Sequence, residues 1–124
     1  MAGTIVADTI QDGAGNSTAM DNAIYGSAKA WVNYAGASGS INASYNVSSV
    51  TRSATGTYQV NFTSALADAN YVVAGFARNS GGTTGQYVGQ TSANTTYTTT
   101  ALGIRVGDTG GPNDVTSVSV TVFR

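Results

Sequence analysis

The sequence predicts an all-β protein: an antiparallel β-sandwich of about seven strands behind an extended N-terminal arm. Three observations carry this expectation. The apolar residues are mainly Val, Ile, Tyr, Phe and Trp, which suit a pleated half-buried surface, whereas Leu occurs only at Leu66 and Leu102 and Glu is absent. Apolar and polar residues alternate with period two, most clearly at Tyr58, Val60 and Phe62 against Gln59, Asn61 and Thr63. Turn-forming clusters separate these runs, and the chain contains 16 glycines. A chain of 124 residues is long enough for one core, with an appendage. The Leu-poor core material points to further burial between copies. The block Ser27-Ala28-Lys29-Ala30-Trp31-Val32-Asn33-Tyr34, with the only lysine and the only tryptophan, divides an arm (1–26) from a β-module (27–124).

Within the arm, Thr4 to Ile10 reads as a short strand, Asp12-Gly13-Ala14-Gly15-Asn16 as a turn, and Asp21 to Gly26 as the return to the module. Ile5, Val6, Ile10, Met20, Ile24 and Tyr25 are too apolar for a free linker and are expected at an assembly interface. The module opens with a strand in which Ala30, Val32 and Tyr34 share one face and Trp31 and Asn33 the other. Gly36 to Gly39 turns the chain into a second strand, Ile41 to Val50, whose parity changes near Ser48-Ser49 and so predicts a bulge or bend. A turn at Thr55-Gly56 leads to the Tyr58–Phe62 strand, and Ser64 to Asn70 reads as a single helical turn with Ser64 as N-cap. Asn70 to Arg78 is apolar on both faces and reads as a central strand. A polar loop, Asn79 to Gly85, precedes a short strand at Tyr87-Val88. Thr95 to Thr100 then leads into Leu102, Ile104 and Val106. Gly107 to Asp114 is a loop with the only proline, and Val118, Val120 and Val122 alternate in the last strand.

Composition excludes several classes of function. Charged residues make up 9% of the chain and the net charge is −1, so there is no basic patch to neutralise phosphates and no nucleic-acid partner is expected. No run of about 20 apolar residues is present, so no membrane insertion is expected. The N-terminus lacks the regions of a signal peptide, and the chain is expected to be used without Sec-type export. With no His and no Cys, the usual metal sites and Ser-His or Cys-His pairs are unavailable. Asp108 and Asp114 are the only close carboxylate pair outside the arm. Paired carboxylates can hydrolyse glycosides, and the same loop could ligate calcium, but loop aspartates ordinarily serve turns. Neither role is assigned; no enzyme activity, cofactor or metal is expected. Gly81 to Gly85 lacks the Lys-Ser/Thr of a phosphate loop.

Four segments, Ser27–Tyr34, Ser44–Thr51, Gly56–Phe62 and Ala65–Tyr71, resemble a β-module of tailed-phage virion structural proteins, of the kind labelled tail fibre in phages of cyanobacteria and other aquatic bacteria. The leader Gly3 to Ile10 is similar to the leader of the same proteins, and the resemblance covers roughly residues 3–78. It implies a homotrimer with arms intertwined at the base, without catalysis, on the outer surface of the virion and made in the host cytoplasm. The chain is too short for the shaft and separate docking domain of long fibres. The first expectation is therefore a short tail fibre or adhesin contributing to host attachment, and the alternative a capsid decoration (cement) protein that stabilises the head shell. A carbohydrate-binding β-module is a further alternative, since Tyr rings beside Asn and Asp suit sugars.

The expected partners are further copies of the chain, a tail adaptor or major capsid protein, and a host surface glycan. Trp31 is expected to be a packing or trimer-interface anchor. Asn79, Thr83, Tyr87, Tyr97, Asp108 and Asn113 are the candidate receptor-facing loop residues.

Overall fold

The computed structural model describes residues 3–82, 84–89 and 97–124. The arm contains a small hairpin, β1 (Thr9–Gln11) with β2 (Ser17–Ala19), followed by α1 (Met20–Gly26). The strand expected over Thr4 to Ile10 is present only from Thr9 onward. The Asp12–Asn16 turn forms as expected: Asp12 Oδ1 accepts from the amides of Ala14 and Asn16, both at 2.9 Å, and the Asn16 amide group donates to Oδ2 at 2.8 Å. These bonds hold the Asp12 carboxyl below the usual range, the Asn16 side chain contributing most.

The module is all-β and antiparallel. Its first sheet has the order β4 (Ile41–Tyr45), β3 (Ala28–Tyr34), β11 (Ser117–Phe123), β7 (Val72–Arg78). The second contains β5 (Val47–Ala54), β6 (Thr57–Phe62) and β9 (Ala101–Asp108), with short strands β8 (Tyr87–Gly89) and β10 (Gly111–Pro112) pairing to β9. Alternation sends one side of each main strand inward. Ala30, Val32, Tyr34, Val118, Val120 and Val122 from the first sheet meet Tyr58, Val60, Phe62, Leu102, Ile104 and Val106 from the second. The Tyr34 and Tyr58 rings meet edge-to-face between the layers, centroids 5.2 Å apart. Burial pushes the Tyr34 hydroxyl's pKa well above its usual value.

Beyond the shortened arm strand, three segments of the module differ from the sequence expectation. The run Ile41–Val50 is two strands in different sheets. The chain changes sheet at Asn46, whose φ of 53° lies in the left-handed region that Asn tolerates. The predicted bulge is present just after it, as a register shift between Val47 and Ser49. Asn46 is also clamped from both sides: its amide nitrogen donates to the carbonyls of Lys29 (3.1 Å) and Ser64 (3.2 Å), and its oxygen accepts from the Ser64 amide (2.8 Å).

The same clamp explains the second difference, for Ser64 to Asn70 forms no helical turn. Ser64 is tied to Asn46, the Leu66 amide donates to the Thr99 carbonyl at 2.8 Å, and Asp68 accepts from the Asn70 amide at 2.7 Å. Tertiary partners take the backbone groups that a helix would have used. Asn46→Ala is expected to cost about 2 kcal/mol, from the lost bonds and a non-Asn side chain in the left-handed region. Chemical denaturation checks this, and Asn46→Gly, which relieves only the backbone strain, should recover part of it.

The third difference concerns β7. It is an edge strand, paired only with β11 among the described residues. A two-layer sandwich covers one side of each strand, so the second apolar side of β7 faces outward.

Candidate functional site

Among the described residues nothing covers the outward face of the first sheet. Strand register builds it row by row. Tyr45 pairs with Trp31, Trp31 with Thr121, and Thr121 with Ala74. In the next rows, Asn33 pairs with Ser119 and Ser119 with Phe76, while Phe123 lies opposite Val72. Phe76 is 83% exposed, Val72 68%, Tyr45 57% and Trp31 39%. Asn33 ties the middle of the face, donating to Ser119 Oγ at 2.8 Å and accepting from the Asn42 amide group at 2.8 Å.

The outward face of the second sheet has the opposite character. Asn61 donates to Ser49 Oγ at 3.0 Å and Gln59 donates to Asn61 Oδ1 at 2.9 Å, forming a polar ladder. One module thus presents a hydroxyl- and amide-rich face and an aromatic one. Thr121 and Ser119 of β11 run between the Tyr45–Trp31 pair and Phe76, so the apolar side chains of this face flank a short polar stripe.

The arm presents the same character. Ile5 (85%) and Val6 (94%) stand almost fully in solvent, Ile10, Ile24 and Tyr25 are exposed, and Met20 is half-buried. All seven residues expected at an assembly interface are therefore at least partly accessible, and Trp31 packs outside the core, on the sheet face. Sequence reasoning did not single out Tyr45, Val72 and Phe76. The available signal was β7 itself, since a strand apolar on both sides has one side uncovered in any two-layer fold.

Pairing fixes where the loops lie. The register Ala28–Phe123–Val72 puts the arm junction at the pole where β7 begins. Tyr71, just before β7, donates its hydroxyl toward the carbonyls of Thr98 (3.1 Å) and Ala101 (3.2 Å), so β9 begins at the same pole. Tyr97 lies there too, half-buried, its ring stacked on Tyr71 with centroids 4.9 Å apart. Burial, with Tyr97 next to it, pushes the Tyr71 hydroxyl up to about 12.

Asn79, Tyr87, Asp108 and Asn113 lie at the opposite pole, around the far ends of β7 and β9. Tyr87 pairs with Gly107, and the Asn113 amide group donates to Asp108 Oδ2 at 2.8 Å. Thr83 is outside the described residues. Of the candidate receptor-facing residues, four share one pole and Tyr97 sits at the other.

The Asp108–Asp114 pair is used within the fold. Asp108 Oδ1 accepts from the Gly110 amide at 2.8 Å, closing the turn between β9 and β10. Asp114 accepts from Arg52 (Nη2 2.6 Å, Nε 3.0 Å), the Gly56 amide (3.0 Å) and the Tyr58 hydroxyl (2.9 Å), which also lies 2.7 Å from the Gly36 carbonyl. Arg52, with the Gly56 amide and the Tyr58 hydroxyl, holds the Asp114 carboxyl at about 2. Burial, reinforced by Asp114, pushes the Tyr58 hydroxyl in the opposite direction, above its usual value. Asp114 is therefore a knot joining the β3–β4 turn, the β5–β6 turn and the segment before β11. Among the described residues no three acidic side chains gather to hold a metal ion, and no helix is long and apolar enough to cross a membrane. Comparison with family models, with curated proteins and with solved structures finds no match for this chain.

Proposed function

We propose that this chain is a non-enzymatic structural protein of the outer surface of a tailed-phage virion, a trimeric short tail fibre or adhesin. The observation that carries the reading is the division between poles. The apolar arm leaves the module at one end, and Asn79, Tyr87, Asp108 and Asn113 cluster at the other. An appendage anchored at one end and engaging a host surface glycan at the other needs this layout. The segment resemblance over residues 3–78 supports the virion setting. The lateral apolar face built around Phe76 and Trp31 favours a second reading, a capsid decoration protein seated among shell subunits.

Immunogold labelling of particles tests both readings. Label at the tail supports the fibre, label over the head supports decoration, and unlabelled particles overturn the proposal. Deleting residues 1–26 is expected to leave the module folded, because its core draws on residues from Ala30 onward, and to abolish incorporation into particles. Wild-type incorporation of the truncated chain would show that the arm is not the anchor.

A further inference from the structure

We infer that the arm of one copy docks on the aromatic outer face of the first sheet of a second copy. This rests on the self-assembly part of the function proposed above and names the two surfaces that meet. Both are apolar, both belong to every copy, and neither is covered by the described residues: Ile5 and Val6 stand almost fully exposed, as does Phe76, and Val72 is largely so.

The areas suit a stable contact. At these exposures, Trp31, Tyr45, Val72 and Phe76 leave on the order of 400–500 Å² uncovered, taking aromatic side chains at roughly 150–250 Å² each. The exposed arm residues add a comparable area. In a trimer each copy gives an arm to one neighbour and receives one from the other, so it covers both surfaces, roughly 800 Å² per copy over its two contacts. The sheet face alone falls short of that.

Charge favours the same pairing. The arm has three aspartates, Asp8, Asp12 and Asp21, and no Lys or Arg, whereas all five cations lie in the module. Asp12 is occupied by its own turn, which leaves Asp8 and Asp21 to be matched. Of the cations, Arg52 is held by Asp114 and Arg124 by Asp68. Arg78 is the exposed cation on the outward side of β7, two residues from Phe76 on that face. Opposite charges at the rim of an apolar contact steer association and set its register. An arm-to-arm contact would instead bring aspartates together.

The chain has no cysteine, so single cysteines report unambiguously. Ile5→Cys and Phe76→Cys chains, mixed and treated with a short bis-maleimide, are expected to give the mixed cross-linked pair. The product should exceed by ~10-fold that of Ile5→Cys mixed with Thr51→Cys on the polar sheet. Phe76→Asp, at a side chain too exposed to disturb the core, is expected to weaken self-association about 30-fold or more, as loss of an interface anchor does. Light scattering of the full chain reads this. Assembly with Ile5→Cys linking mainly to itself, or equally to Thr51→Cys, would overturn the docking surface while leaving self-assembly intact. A full chain that stays monomeric at tens of micromolar would overturn both.

Discussion

Gly56→Ala is expected to destabilise the module by at least about 4 kcal/mol and to lower its melting temperature by roughly 15–30 °C. Gly56 has φ of 63°, where a side chain costs about 1–2 kcal/mol. Steric overlap costs more. An added Cβ would sit 2.2 Å from the Val106 carbonyl oxygen and 2.8 Å from the Asn113 amide nitrogen. Those atoms are fixed by bonds of their own: the Val106 amide donates to the Gly56 carbonyl at 2.7 Å, and the Asn113 amide to the Val106 carbonyl at 3.2 Å. Backbone cannot swing aside as a flexible side chain can, so the substitution opens the corner where β6, β9 and β10 meet. Gly15→Ala is the matched control. Its φ is 89°, but the nearest atom to its Cβ is the Gln11 amide nitrogen at 4.0 Å. It should cost about 1 kcal/mol within the arm hairpin and leave the module's melting temperature unchanged. Thermal unfolding followed through the tyrosine near-ultraviolet signal reads both variants, and equal effects would refute the steric account.

Asp114→Ala should cost about 3 kcal/mol, more than removal of Arg52. It leaves the Gly56 amide without its partner, the Arg52 guanidinium without its carboxylate, and the Tyr58 hydroxyl with the Gly36 carbonyl alone. Arg52→Ala should cost about 1 kcal/mol, because the ion pair is partly solvated and Asp114 keeps its other two donors. The carboxyl also sets a pH dependence. Its pKa in the fold, about 2, lies below the ordinary 3.8, so the folded state favours the ionised form. The stabilisation is therefore complete above about pH 4 and is lost as the pH falls toward 2 and below. Asp114→Asn should flatten the melting temperature across that window. A smaller slope should remain from Asp68, held low chiefly by Arg124. An unchanged acid profile in Asp114→Asn would count against the knot.

The strands were legible because alternation is a local property. The inward residues Ala30, Val32, Tyr34, Tyr58, Val60, Phe62, Val118, Val120 and Val122 follow from parity, since successive side chains on a pleated strand point to opposite faces. Each strand expected in the module is present, but the Ile41–Val50 run is two strands and Gly111–Pro112 adds a short one. The bulge after Asn46 was visible as a parity change, but the change of sheet was not. A left-handed Asn held by Lys29 and Ser64 depends on partners 17 and 18 residues away. The same distant partners remove the helical turn that Ser64 suggested.

Composition and periodicity alone determine that this chain is β, that an apolar arm precedes a module, and which side of most strands faces the core. They cannot determine what lies over the other side. That depends on strand order, and strand order comes from non-local pairing that leaves no local trace. Only the tertiary structure makes β7 an edge strand, groups Tyr45, Trp31, Phe76 and Val72 on one uncovered face, and sets the arm and the Asp108–Asn113 loop at opposite poles. Burial is a property of neighbours: Val72 and Val73 are the same residue type side by side, and only the packed second layer distinguishes them.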